Sequence, residues 1–231
     1  MSERRAVFID VGGPLYPDEN FLKAAHQAIN VLRASRNLAP VSFADAKAVF
    51  DRVRNTRGGS LRTSLAAEFL GEPGDRERLH DTIAPRWTHP EGSLYPDVHP
   101  FLAALAGHVV LGVVANQEKA AVDALSRDGL SQFIDVWGIS AQVGLEKPSP
   151  EFFQWALDQA GVEPKQAVHV GNRFTHDVMP AHQLGMKTVW VLRGEAPDNP
   201  VADERKTADI VVDSLEGLAP RVLALWGGDA D

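Results

Sequence analysis

Cysteine is absent from this 231-residue chain, which removes a disulfide framework, thiolate zinc ligation and a cysteine nucleophile. No apolar run approaches the roughly 20 residues that a membrane-spanning helix needs. Positive charge is in deficit: 31 acidic residues against 23 lysines and arginines give a formal net charge of −8. That balance argues against nucleic acid or an anionic membrane as the main partner. Internal repeats and low-complexity tracts are also missing. The start, MSERRAVFID, passes from charged residues into an apolar strand with no cleavable hydrophobic region. The expectation is a soluble cytoplasmic protein. A hydrophobic content of 44% is globular, and the length suits one core domain plus an insertion.

What is present centres on Asp10. The apolar run AVFI over 6–9 ends at Asp10 and is followed by the turn VGGPLY over 11–16. A carboxylate at the carboxyl end of a strand, before a sharp glycine turn, reaches a ligand in the crevice above a parallel sheet. Alone this is also the pattern of an ordinary turn aspartate. Three later segments repeat the arrangement. VVLGVVANQ over 109–117 ends a buried-type strand on a small residue and the amide Asn116, and GLEKPSPEFF over 144–153 sets Lys147 just before a proline-started helix. VHVGNRFTHDVMPAHQLGMKTVWVL over 168–192 gives a strand, a polar loop with Asn172 and Asp177, a helix and another strand.

Strand and helix alternate through the second half: strands over 109–115, 134–140, 167–170 and 188–192, helices over 118–128, 150–160 and 175–184. Such alternation predicts a parallel sheet with right-handed crossovers. Residues 194–208 read as a surface loop before a short strand over 209–212 and a last helix from Ser214. Between the first two strands lie amphipathic patterns over 18–37, 42–57, 61–70 and 75–87, with Asp18 as a helix cap and Gly58–Gly59 as a break. The expected architecture is a three-layer, Rossmann-like α/β core over 1–15 and 95–231, carrying an all-helical cap over 16–94.

With these motifs in this order, the chain resembles the haloacid dehalogenase superfamily of hydrolases over 6–16 and 109–192. The resemblance implies that Asp10 is a covalent nucleophile, that Asn116 binds the transferring group and that Lys147 steadies both nucleophile and substrate. It also implies Mg²⁺ held by Asp10, the Gly12 carbonyl, Asn172 and Asp177. Departures from the family pattern are equally specific. The second aspartate that acts as acid and base is replaced by Gly12, the serine or threonine before the amide by Ala115, and the first acidic residue of the last motif by Asn172.

Covalent catalysis by Asp10 survives these changes. A leaving alkoxide loses its proton donor, a service typically worth about 10²–10⁴-fold, so leaving groups stable as anions should suffer least and Gly12→Asp should rescue alkyl esters. The expected activity is a phosphatase of small phosphorylated metabolites, with weakly held Mg²⁺. A 2-haloacid dehalogenase is the second reading, although Phe174 stands where that branch has a polar amide. A binding protein that has lost turnover is the third, on the triple change at Gly12, Ala115 and Asn172.

Other residues have competing readings. Arg54, Arg57 and Arg62 flank the break at Gly58–Gly59, where they either meet an anionic substrate or form a solvated helix face; Arg57 and Arg173 are taken as the substrate-binding pair. His169 reads as a core histidine, His176 as pointing away from the site, Lys47 as solvated, and Trp137, Trp155 and Trp190 as packing.

Overall fold

The computed structural model describes residues 3–56 and 59–227. The chain runs β1 (Ala6–Ile9), α1 (Glu19–Ser35), α2 (Phe43–Thr56), α3 (Leu61–Phe69), α4 (Asp75–Ile83), α5 (Val98–Leu105), β2 (Val110–Ala115) and α6 (Ala120–Arg127). It continues through β3 (Val136–Ile139), α7 (Ser140–Val143), α8 (Pro150–Ala160), β4 (Ala167–Gly171), α9 (Met179–Gln183), β5 (Lys187–Val191), α10 (Ala202–Thr207), β6 (Ile210–Val212) and α11 (Ala219–Ala224). All strands pair in parallel, in the order β3-β2-β1-β4-β5-β6. Among the described residues no helix is long and apolar enough to cross a membrane.

Both faces of the sheet are covered because successive strand residues alternate sides. Val7 and Ile9 pack with Leu111, Val113, Val168 and Val170 against Phe101 and Leu102 of α5 and Val222 of α11. Ala6 and Phe8 face the other way, onto Phe152, Phe153 and Leu157 of α8. The result is the expected three-layer α/β sandwich. Val7 sits opposite Leu111 on one side and Val168 on the other, so the ends of β2, β1 and β4 lie side by side. Strand order reverses between β1 and β4, which opens a crevice at their carboxyl ends.

Helices α1–α4 form a four-helix insertion with a core of its own: Leu22 and Ile29 from α1, Val49 and Phe50 from α2, Leu65 from α3, Leu79 and Ile83 from α4. Buried Asp75 ties this unit together. It accepts from Arg36 and from Arg78 (3.1 Å), and it receives the Glu72 amide at 2.8 Å.

Three local features depart from expectation. The helix over 175–184 is a π-helical turn, Phe174–Val178, followed by α9. Residues 202–207 form α10 inside the expected loop; Asp203 and Glu204 in its first turn and Arg205 and Lys206 in its last suit the helix dipole. Helix α5, whose Val98, Phe101, Leu102 and Leu105 are buried, had no counterpart in the periodicity reading.

Candidate active site

Asp10 stands at the end of β1, its backbone N–H donating to the Val170 carbonyl of β4 at 2.9 Å. Its Oδ1 accepts from the Val11 amide at 2.8 Å and pairs with Lys147 Nζ at 2.9 Å. Both bonds fall on Oδ1. Burial, opposed by Lys147 and reinforced by Asp177, lifts the Asp10 carboxyl to about 6. Lys147 is buried and its Nζ also donates to Asp177 Oδ1 at 2.5 Å. Two carboxylates hold it charged against the burial that would otherwise deprotonate it.

Asn116 is turned to Lys147. Its Nδ2 donates to the Lys147 carbonyl and its Oδ1 accepts the Lys147 amide, both at 2.8 Å. The expectation is of an amide aimed at the transferring group; Asn116 lines the cavity, but these two bonds tie its side chain to the Lys147 backbone and position the lysine.

Asp177 departs furthest from its expected role. It is fully buried, with Oδ1 shared by Lys147 and His169 Nε2 (3.2 Å) and Oδ2 accepting the Arg173 amide at 2.8 Å. With both oxygens occupied it anchors Lys147 and is not a direct metal ligand. His169, neutralised by burial, donates its Nε2–H to that carboxylate and is more than a packing residue.

Asp18 holds the expected N-cap position of α1, its carbonyl accepting the Leu22 amide at 3.2 Å, but its side chain makes no cap bond and lines the cavity instead. Its Oδ2 accepts from Asn172 Nδ2 at 2.8 Å and from the Glu195 amide at 2.7 Å. A Cβ built on Gly12 would lie 2.5 Å from Asp18 Oδ1, so the carboxyl fills the space where residue 12 has no side chain. Burial, then Glu195 and Asp10, push Asp18 well above the usual carboxylate range. A side chain at residue 12, as in the expected rescue by Gly12→Asp, would therefore require Asp18 to shift. Next to it, Gly13 adopts φ +84° beneath the Asn172 side chain, a place with no room for a Cβ.

Asn172 also donates to the Arg193 carbonyl at 3.0 Å, and its own backbone carbonyl accepts Trp190 Nε1 at 2.9 Å. Its amide nitrogen faces two acceptors, which fixes the flip and leaves buried Oδ1 with no partner. Of the expected metal donors, Asp10, the Gly12 carbonyl and this orphaned oxygen fit a hard cation. Asp177 does not. Among the described residues no group of three or more His, Asp or Glu side chains is arranged to hold a metal.

A cavity of about 320 Å³ opens over Asp10, Gly12, Asn116, Lys147 and Asn172. Arg173 reaches it but pairs with Glu195 at 2.9 Å. His176, in the π-helical turn, lines it, contrary to expectation; burial lowers it to about 4. Arg57 lies outside the described residues. Arg54 meets Asp198 at 2.6 Å on the far side of the crevice, and Lys47 pairs with Asp51 on the surface. The insertion closes the cavity with Ser60, Arg62, Arg76, His80 and Trp87.

The chain is 34% identical over 125 residues to a glyceraldehyde 3-phosphate phosphatase of Methanopyrus kandleri, covering 52% of each chain. It is 34% identical over 155 residues to a phosphoserine phosphatase of Thermus thermophilus, covering 62% of this chain and 59% of the relative. The chain thus spans between half and three fifths of the length of these curated relatives. In fold it is similar to a predicted phosphoglycolate phosphatase of Haemophilus somnus, with a TM-score of 0.75 at 21% identity over 96% of this chain and 99% of the other. Residues 4–185 match the haloacid dehalogenase-like hydrolase model, and the chain belongs to that family of hydrolases.

Proposed function

We propose that the protein is a phosphatase of small phosphorylated metabolites that works through an aspartyl phosphate on Asp10. The observation that carries this reading is the Asp10–Lys147–Asp177 chain at the sheet's switch point. One oxygen of Asp10 is held by Val11 and Lys147, so the other is presented to the cavity. Asp10 Oδ2 attacks phosphorus, the ester P–O bond breaks, and the alcohol leaves with a proton; water then hydrolyses the acyl phosphate and frees Asp10. Lys147 offsets the anionic charge of the phosphoryl group while Asp177, His169 and Asn116 hold it in place. Asp18, standing in the space that residue 12 leaves open, is placed to pass the proton to the leaving oxygen.

Phosphatases of this family generally use Mg²⁺. In this chain Asp10, the Gly12 carbonyl and Asn172 Oδ1 would hold it, and when bound it adds positive charge at the phosphoryl oxygens. The core over 1–15 and 95–231 carries the nucleophile and Lys147, and the insertion over 16–94 serves as the cap that encloses the substrate and brings Asp18 at its start. The named phosphatase relatives support the substrate class.

One observation favours the second reading, halide displacement without a metal: Asp177 is withdrawn from the metal by Lys147 and His169. A panel of phosphate esters, acyl phosphates and 2-halo acids, assayed with Mg²⁺ and with a chelator, separates the two. Phosphate release that depends on Mg²⁺ is expected. Halide release that persists with the chelator would replace this reading.

A further inference from the structure

Four cationic side chains line the cavity: Lys147, Arg173, Arg76 and Arg62. Three have carboxylate partners. Lys147 holds Asp10 and Asp177, Arg173 holds Glu195, and Arg76 meets its neighbour Glu77 at 3.4 Å. Arg62 has no carboxylate within ion-pair distance among the described residues. Its guanidinium lies over the Phe21 ring, 5.7 Å from the centroid, and its Nε is buried with no partner.

The surroundings sharpen the imbalance. Arg76 repels Arg62, and the nearest attraction comes from Glu118 and Glu146 on the core side of the cavity, at longer range. A half-buried guanidinium beside a like charge is unfavourable unless an anion joins it. Two further ring nitrogens in the same wall also lack partners: His80 Nδ1, a donor in one tautomer, and the donor Trp87 Nε1. Trp87 stands edge-on to Phe21, the ring that carries Arg62. The insertion therefore contributes a cluster of unanswered donors, while the core end of the cavity has Asp10 and Lys147 for the phosphoryl group.

We propose that Arg62, with Arg76 beside it, binds a second oxyanion on the substrate, so that the preferred substrate is a small phosphate monoester also bearing a carboxylate or a second phosphate. The planar guanidinium fork matches either group with paired hydrogen bonds. This inference rests on the phosphatase reading and names its substrate class.

The test compares 2-phosphoglycolate, ethylene glycol bisphosphate and ethyl phosphate on the whole protein with Mg²⁺, reading kcat/KM and, by calorimetry, binding. Ethyl phosphate alone tests the phosphatase reading, because it has no second anion; the ratios test Arg62. The expected result is a preference of about 10–100-fold for one of the doubly anionic esters, the size of a charge-assisted hydrogen bond. Arg62→Gln should remove most of that preference and Arg62→Lys should keep part of it, with unfolding temperature measured on both variants. Whichever of the carboxylate and bisphosphate arms shows the preference identifies the oxyanion. A ratio near one in the parent protein, or a preference unchanged in Arg62→Gln, overturns the proposal. Failure of all three esters to bind or react would instead overturn the phosphatase reading, and this inference with it.

Discussion

Replacing Lys147 by Met keeps the length of the side chain and removes its charge from between two buried carboxylates. In the parent, Nζ lies 2.9 Å from Asp10 Oδ1 and 2.5 Å from Asp177 Oδ1. Asp177 keeps only His169 and the Arg173 amide, while Asp10 keeps only the Val11 amide. Breaking a buried pair by deleting one partner costs about 3–5 kcal/mol, a large share of a typical folding stability of about 5–15 kcal/mol. The variant should lose about that much at pH 7 in urea unfolding followed by tryptophan fluorescence.

The pH dependence has a definite sign. Asp177 is held far below its ordinary value in the parent, with Lys147 the largest cause acting against burial. A depressed carboxylate contributes stability above the unfolded value of about 3.9, and that contribution fades as pH falls. In the variant the carboxylates rise and take up protons, so acidification relieves it. The gap between parent and variant should narrow from pH 7 towards pH 5, and Asp177→Asn should offset part of the loss in Lys147→Met. A loss below about 1 kcal/mol, or a gap that widens on acidification, would refute the buried-pair argument.

Gly12→Asp should destabilise the protein by about 1–3 kcal/mol from overpacking alone, because its Cβ would lie 2.5 Å from Asp18 Oδ1; combining it with Asp18→Ser should recover stability and alkyl-ester turnover, and equal stability of Gly12→Asp and parent in urea would count against the placement of Asp18. Asn172→Asp replaces the donor to Asp18 and Arg193 with a charge. Without metal it should unfold at lower temperature than the parent, and Mg²⁺ should raise its midpoint by more; identical Mg²⁺ responses would remove Asn172 from the metal. Burial lifts Asp10 to about 6 in the metal-free protein and a cation on the carboxylate lowers it, so with Mg²⁺ kcat/KM should fall on acidification along a limb lying below 6, where the nucleophile takes up a proton. The limb should stay in place for two esters of different phosphate pKa, and a limb that follows the ester would belong to the substrate.

Local signals made the sheet and half the site readable. AVFI and VVLGVVA are short apolar runs that end on polar residues, so Asp10 and Asn116 could be placed at strand ends, and Pro150 marks the helix behind Lys147. What remained hidden depends on contacts between segments distant in sequence. An aspartate before an amphipathic helix reads as a cap, yet Asp18 is turned into the site by Asn172, 154 positions away, and by the Glu195 amide, 177 positions away. Asp177 reads as a metal ligand until Lys147 and His169 are seen to occupy it. Counting along an α-helix turns His176 away from the site, whereas this segment is a π turn and residue 176 lines the cavity. Arg62 could be flagged by charge beside a glycine break, but its lack of a partner is visible only across the cavity.

Covalent capture on Asp10 tests the central claim most directly. The protein, mixed with p-nitrophenyl phosphate and Mg²⁺ and quenched in acid within the first turnovers, is digested and its peptides are weighed by mass spectrometry. The account predicts one phosphoryl group on the peptide containing Asp10, absent from Asp10→Asn, together with loss of phosphate release in that variant. Phosphate release that continues in a folded Asp10→Asn protein would contradict it.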